Sequence, residues 1–214
     1  MKLQKLGGYA SIVLVCGLVV TVVISGLAYS HLGIASSAAQ ADPAKMMDAY
    51  EASPITFRAL QPFGILLALT FVLIALALQE RMQAKAPNLM RLAVIAASIT
   101  SALILALSIA STSGFASIAR TKDISAYRAF DAMLSGGYAT AMNAWGWALL
   151  LMGWAAIRTG ALPRILGSLI FVYGIAQIFQ FAIAQLEIVS GILFLISMVW
   201  LGVVLLRKHE PASA

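Results

Sequence analysis

The chain has 214 residues, 62% hydrophobic and only 10% charged, with 14 basic against 8 acidic side chains and a net charge of +6. Soluble domains carry about 25% charged residues, so the polar surface is too small to cover a globule in water, and a mean hydropathy of +0.95 makes the bilayer the expected solvent. The lone Cys16 excludes an internal disulfide, His31 and His209 lack partners at metal-ligand spacing, and the basic residues are scattered between apolar runs instead of gathered into a nucleic-acid patch.

Six apolar runs reach the roughly 20 residues that cross about 30 Å of hydrocarbon. They predict an all-α fold, a six-transmembrane-helix bundle forming one integral membrane domain over residues 1–214. Span one runs from about Leu6 to Tyr29, with Cys16 read as a small buried hydrophobe. Ala39-Gln40-Ala41 has the look of a signal-peptidase site, yet the apolar stretch has a full span's length and ends well before it, so an uncleaved span is expected.

In the first outer connection, Asp42 as N-cap and Pro43 in the first turn predict a short helix. Met46, Met47 and Tyr50 fall on one side of it, with Lys45, Asp48 and Glu51 largely on another. Such a helix either covers the bundle mouth as a lid or parks its apolar side on lipid, and the second is the expectation. Span two runs from Pro54 to Gln79, with Ser53 as its cap. Span three runs from about Pro87 to Phe115 and carries Ser98, Ser101, Ser108 and Thr112 within about 40° of one direction, a stripe suited to protein or a cavity rather than lipid.

The second outer connection, Arg120 to Asp131, repeats the amphipathic pattern in Ile124, Tyr127, Phe130 and Met133, with Asp123 as cap and Lys122, Arg128 and Asp131 facing water or one another. A second short interfacial helix is expected there. Arg58, Arg120 and Arg128 then share one membrane face and form a candidate outer site for an anionic head group or substrate. Interfacial snorkelling and loop ion pairs are the plainer account of the same residues.

Span four, about Leu134 to Ile157, holds Asn143 between Gly136-Gly137 and Trp145-Gly146-Trp147. The joint Arg158 to Arg164 follows, in which Gly160 suits a left-handed helix end and Pro163 a helix start, so spans four and five must be antiparallel neighbours. Span five, Pro163 to Ala184, places Gln177 and Gln180 on one side; only Gln185-Leu186-Glu187 separate it from span six, Ile188 to Leu206. With the N-terminus inside, Lys2, Lys5, Arg81, Lys85, Arg91, Arg158, Arg164, Arg207 and Lys208 lie inside, nine of the 14 basic residues, with Glu80 and Glu210. Outside lie Lys45, Arg58, Arg120, Lys122 and Arg128 with Asp42, Asp48, Glu51, Asp123, Asp131 and Glu187. This bias puts both termini in the cytoplasm, as an even number of spans requires.

No ionisable side chain falls near the middle of any span, which argues against proton relays, aspartyl proteolysis and voltage sensing. Ser111-Thr112-Ser113-Gly114 has no histidine placed as its base, so no catalytic, metal or cofactor residues are assigned and no cofactor is expected. Asn143, Gln177 and Gln180, with Ser101 and Ser108, form the candidate ligand pocket; hydrogen bonds between helices are the alternative use of the same groups.

The opening Leu6-Gly7-Gly8, the run Ser53-Pro54-Ile55-Thr56-Phe57-Arg58 leading into a span that ends Ala75-Leu76-Ala77-Leu78, and above all Gly160-Ala161-Leu162-Pro163-Arg164-Ile165-Leu166-Gly167 carry a resemblance. Over most of its length the chain resembles a bacterial family of small multi-pass membrane proteins catalogued as domain of unknown function 4386, departing from its pattern in the long Ser/Thr-bearing third span. The resemblance implies six helices in the plasma (inner) membrane and brings no activity or catalytic residues. The leading reading is a non-catalytic binding or scaffold protein whose partners are membrane lipids and a membrane protein or a second copy, with no nucleic acid. A small-molecule carrier or channel with an outward-facing polar pocket among spans three to five is the alternative.

Overall fold

A computed structural model describes residues 3–59, 61–180, 182–183 and 185–207. Lys2, Lys208, His209 and Glu210 lie outside the described residues. The helices are α1 (Leu3–His31), α2 (Ser37–Gln40), α3 (Pro43–Ala52), α4 (Pro54–Ala59), α5 (Gln61–Met82), α6 (Pro87–Thr121), α7 (Ile124–Thr159), α8 (Arg164–Phe179) and α9 (Leu186–Leu206), and no strand occurs among the described residues. Four helical segments are long and apolar enough to cross a membrane: Leu3–His31, Pro54–Met82, Pro87–Thr121 and Ile188–Leu206. The second of these is α4 and α5 together.

The long helices form a closed ring. α1 packs on α5, α5 on α6, α6 on α7, α7 on α8, α8 on α9, and α9 returns to α1. Tight α7–α8 packing is permitted by glycine: a Cβ on Gly153 would lie 2.5 Å from the backbone nitrogen of Phe171, and one on Gly174 would lie 2.5 Å from that of Leu150. α1 meets α9 through Gly8 and Gly202, where a Cβ on Gly202 would lie 3.2 Å from the Gly8 carbonyl oxygen. Small residues let helix backbones approach closely where lipid supplies no hydrophobic drive for association.

One end of the ring is packed solid. Ala75, Leu78, Met82, Met90, Ala93, Leu149, Met152, Ala156, Leu166, Met198 and Leu201 are all buried there in one continuous core. The joint at this end has the predicted form: Gly160 takes the left-handed conformation at φ 65°, its N–H bonded to the Ala156 carbonyl, and Pro163 caps α8.

The opposite end carries α3 and departs from expectation in three ways. First, the second outer connection contains no separate interfacial helix. α6 continues to Thr121 and α7 begins at Ile124, joined by Lys122 in the left-handed region at φ 52° and by Asp123, whose carboxylate accepts from the N–H groups of Ser125 and Ala126. Two helix ends that are capped this well continue through the connection, so the Ile124, Tyr127 and Phe130 pattern is the first turns of α7 itself. Second, α3 has the predicted Asp42 cap, yet Met46, Met47 and Tyr50 are buried against protein rather than parked on lipid. Met46 and Met47 join a small second core with Ile34 and Tyr127, because the α6–α7 hairpin extends far enough to receive them. Third, Cys16 is exposed on the outside of α1 and not buried. Beyond Val15 no residue of α1 is buried, so this half of the helix turns Cys16, Val22 and Leu27 away from the bundle.

Candidate binding cavity

At the α3 end the ring does not fill. A cavity of about 690 Å³ lies between the helices, and all six long helices contribute to its wall. α1 supplies Leu14, Leu18 and Thr21; α5 supplies Gln61, Gly64 and Phe71; α6 supplies Ile104, Ser108 and Thr112. α7 contributes Leu134, Tyr138 and Trp145, α8 contributes Tyr173, Gln177 and Gln180, and α9 contributes Ser190, Gly191 and Phe194. Close approach of α5 and α6 at Gly64 and Ser108, too near for a side chain on Gly64, sets one wall. Gly191 is the opposite case, since a Cβ there would meet nothing within 4 Å.

The wall is mostly apolar and aromatic. Phe71 lies against Trp145 with ring centroids 4.5 Å apart, and Tyr173 meets Phe194 at 6.1 Å in an edge-on arrangement. Tyr29, Phe57 and Phe115 close the cavity beneath α3, with Tyr50 of α3 itself 5.2 Å from Phe57. Several of the polar groups in the wall are engaged. Ser190 Oγ donates to Gln177 Oε1 at 2.7 Å, which pins α9 to α8 and leaves the amide NH₂ as the donor end of Gln177. Ser111 and Thr112 return their hydroxyl protons to the Ser108 carbonyl at 3.0 and 3.2 Å. The indole N–H of Trp145 is buried in the wall beside the Tyr173 hydroxyl. Asp131 is the one carboxylate among the described lining residues, and it is exposed.

Of the residues expected at a pocket, Gln177, Gln180 and Ser108 line this cavity. Asn143 and Ser101 do not. Asn143 Nδ2 donates to the Ile178 carbonyl at 3.2 Å across the α7–α8 contact, and Ser101 Oγ donates to the Ala68 carbonyl across α5–α6. The Ser/Thr stripe of α6 is similarly divided: Ser98 is exposed, while Thr100, outside that stripe, is fully buried and reaches the Ala141 carbonyl at 3.2 Å. Trp145, Tyr173, Phe194 and Gly191 were not singled out for this site from the sequence; the Trp145-Gly146-Trp147 triplet beside Asn143 was the available signal.

A smaller cavity of about 280 Å³ sits at the rim between α3, α4 and α6. Arg58 and Arg120 both line it, together with Tyr50 and Glu51, whereas Arg128 stands exposed on α7 away from it. Lys122, exposed to water, reaches across to α3 and not to Asp131. Its Nζ lies 3.2 Å from Asp48 and 3.1 Å from Glu51, and hydrogen bonds to Glu51 and Asp48 raise its pKa above the ordinary lysine value. Tyr127, under α3, is pushed up to about 12 by burial first and by the charge of Asp131 second. Among the described residues no group of three or more His, Cys, Asp or Glu side chains is placed to hold a metal ion.

The family model described as "Domain of unknown function (DUF4386)" matches residues 14–208, and the chain belongs to that family. No curated protein and no solved structure matches it.

Proposed function

We propose that this member of the DUF4386 family is a six-span membrane protein that binds an amphipathic, lipid-like small molecule in its central cavity, without catalysing a reaction on it. The observation that carries the reading is the 690 Å³ cavity walled by all six long helices. That volume lies within the roughly 300–1,000 Å³ usual for ligand sites, and a mostly apolar wall with a few convergent polar groups is their usual chemistry. The ring order supports α7 and α8 as crossings beside the other four, because together they bridge α6 and α9, which are themselves long and apolar. Charge supports the α3 end as the outside of a bacterial plasma membrane with both termini in the cytoplasm: Lys5, Arg81, Lys85, Arg91, Arg158, Arg164 and Arg207 gather at the other end against Glu80.

The solid core at that cytoplasmic end favours a binder over a channel, since a conducting path would need polar groups reaching both faces. A test follows from the glycine that faces open space. Gly191→Leu fills the cavity, whereas Gly26→Leu, where an added Cβ also meets nothing within 4 Å, adds the same bulk to the part of α1 that is exposed and does not line it. Native mass spectrometry of protein purified in mild detergent should find a small molecule retained by the wild type and by Gly26→Leu but lost from Gly191→Leu. Equal retention in the two variants, or none in the wild type, would overturn the reading.

A further inference from the structure

We infer that the rim cavity between α3, α4 and α6 is a separate binding site for a phosphate-type anion, held by Arg58 and Arg120. Two observations converge. Two guanidiniums from different helices line one cavity of about 280 Å³, and each offers the planar fork of donors that matches a phosphate oxygen pair. The acidic neighbour that would otherwise neutralise them is already engaged: Glu51 and Asp48 both hold Lys122, at 3.1 and 3.2 Å, so these five side chains sum to three cations against two carboxylates.

An anion supplies the charge that Arg58 and Arg120 lack. Arg128, one face away, contributes nothing. The shared chemistry is a phosphate, and it has two sources at a membrane rim: the head group of an anionic lipid and inorganic phosphate from solution. This site does not depend on the central cavity holding a ligand, for the rings of Tyr50, Phe57 and Phe115 lie between the two.

The test uses the full chain in nanodiscs of phosphatidylcholine, with and without phosphatidylglycerol, and reads both the thermal midpoint and the lipid retained in native mass spectrometry. Phosphatidylglycerol should raise the midpoint of the wild type and be retained about tenfold over phosphatidylcholine, as charge-assisted hydrogen bonds from two arginines predict. Arg58→Gln and Arg120→Gln should abolish that preference, Arg120→Lys should keep part of it, and Arg128→Gln should leave it unchanged. Stabilisation by inorganic phosphate in pure phosphatidylcholine would identify the free anion as the source, and stabilisation by phosphatidylglycerol alone the head group. The inference is overturned if neither affects the wild type, if Arg128→Gln loses as much as Arg58→Gln, or if neither the Arg58 nor the Arg120 variants change the preference.

Discussion

The α7–α8 contact sets the position of two cavity residues, Tyr173 and Gln177, and it depends on Gly174 between them. In Gly174→Ala the new Cβ would stand 2.5 Å from the Leu150 nitrogen and 2.9 Å from both the Leu150 Cα and the Gly146 carbonyl oxygen. Restoring ordinary contact means moving α8 away by roughly 1 Å, since all three opposing atoms are backbone and none can rotate aside. Overpacking of this kind costs about 1–3 kcal/mol, and backbone opposition puts the expectation near 2–3. Alanine also regains about 1 kcal/mol of helix propensity over glycine, which blurs a comparison with the wild type. Gly136→Ala on α7 removes that ambiguity, because its Cβ would meet nothing within 4 Å and it carries the same propensity gain. The difference between the two variants therefore isolates the steric cost, at about 2–3 kcal/mol, or more than tenfold in the unfolding equilibrium. Reversible unfolding in mixed detergent, followed by circular dichroism, measures it. If Gly174→Ala proves as stable as Gly136→Ala, the tight crossing and the placement of Tyr173 and Gln177 that rests on it are both refuted.

Asp42→Ala removes the carboxylate that accepts from the Ala44 and Lys45 N–H groups, and should cost about 1 kcal/mol, seen as faster amide exchange confined to residues 43–52. Ser190→Ala strands Gln177 Oε1 in a buried site; a double-mutant cycle with Gln177→Leu, measured by the same unfolding assay, should give a coupling of about 0.6 kcal/mol and no more than about 1.7. Alkaline pH should loosen α3. Folded Tyr127 keeps its proton up to about pH 12 while the unfolded chain loses it near 10, so the folded state binds more protons in that window and stability falls across it. The raised pKa of Lys122 acts in the same direction, its ion pairs being complete below the ordinary lysine pKa and lost as pH climbs through the higher folded value. The thermal midpoint should therefore drop between pH 10 and 12, and drop less in Tyr127→Phe; equal slopes would remove Tyr127 from the account.

How much of this was legible in the sequence depends on whether a feature is local. Helix caps are local, so Asp42, Asp123 and Gly160 could be read directly, and their geometry follows the side-chain chemistry. The apolar side of α3 was legible as apolar, but a row of Met46, Met47 and Tyr50 fits lipid and protein equally well, and what decides is the reach of a hairpin more than seventy residues further on. Asn143 illustrates the opposite limit. A polar amide deep in an apolar helix suggests a pocket, yet the glycines around it bring α8 so near that the Ile178 carbonyl accepts its proton first. Gln177 and Gln180 reach the cavity because they stand near the end of α8, where α9 begins to diverge. The cavity itself follows from the splay of six helices, and no short stretch of sequence encodes that.

Helix length shows why the void opens at one end only. α6 has 35 residues and α7 has 36, which at 1.5 Å per residue is more than 50 Å each, well beyond about 30 Å of hydrocarbon. α8 has 16 residues, about 24 Å, and falls short of it. The ring therefore has a high rim on the α6–α7 side, where α3 docks and the two arginines sit, and a low rim at the α8–α9 tip, where Gln180 and Gln185 stand. Between the low rim and α5, the half of α1 beyond Val15 is a wall one helix thick, with Leu18 and Thr21 on the cavity and Val22 and Leu27 turned outward. A ligand that enters from the lipid would meet its thinnest barrier at this wall, and one that enters from water would meet the aromatic closure under α3. The unequal hairpins thus explain together why the void opens at the α3 end and why the anion site lies apart from it on the tall side.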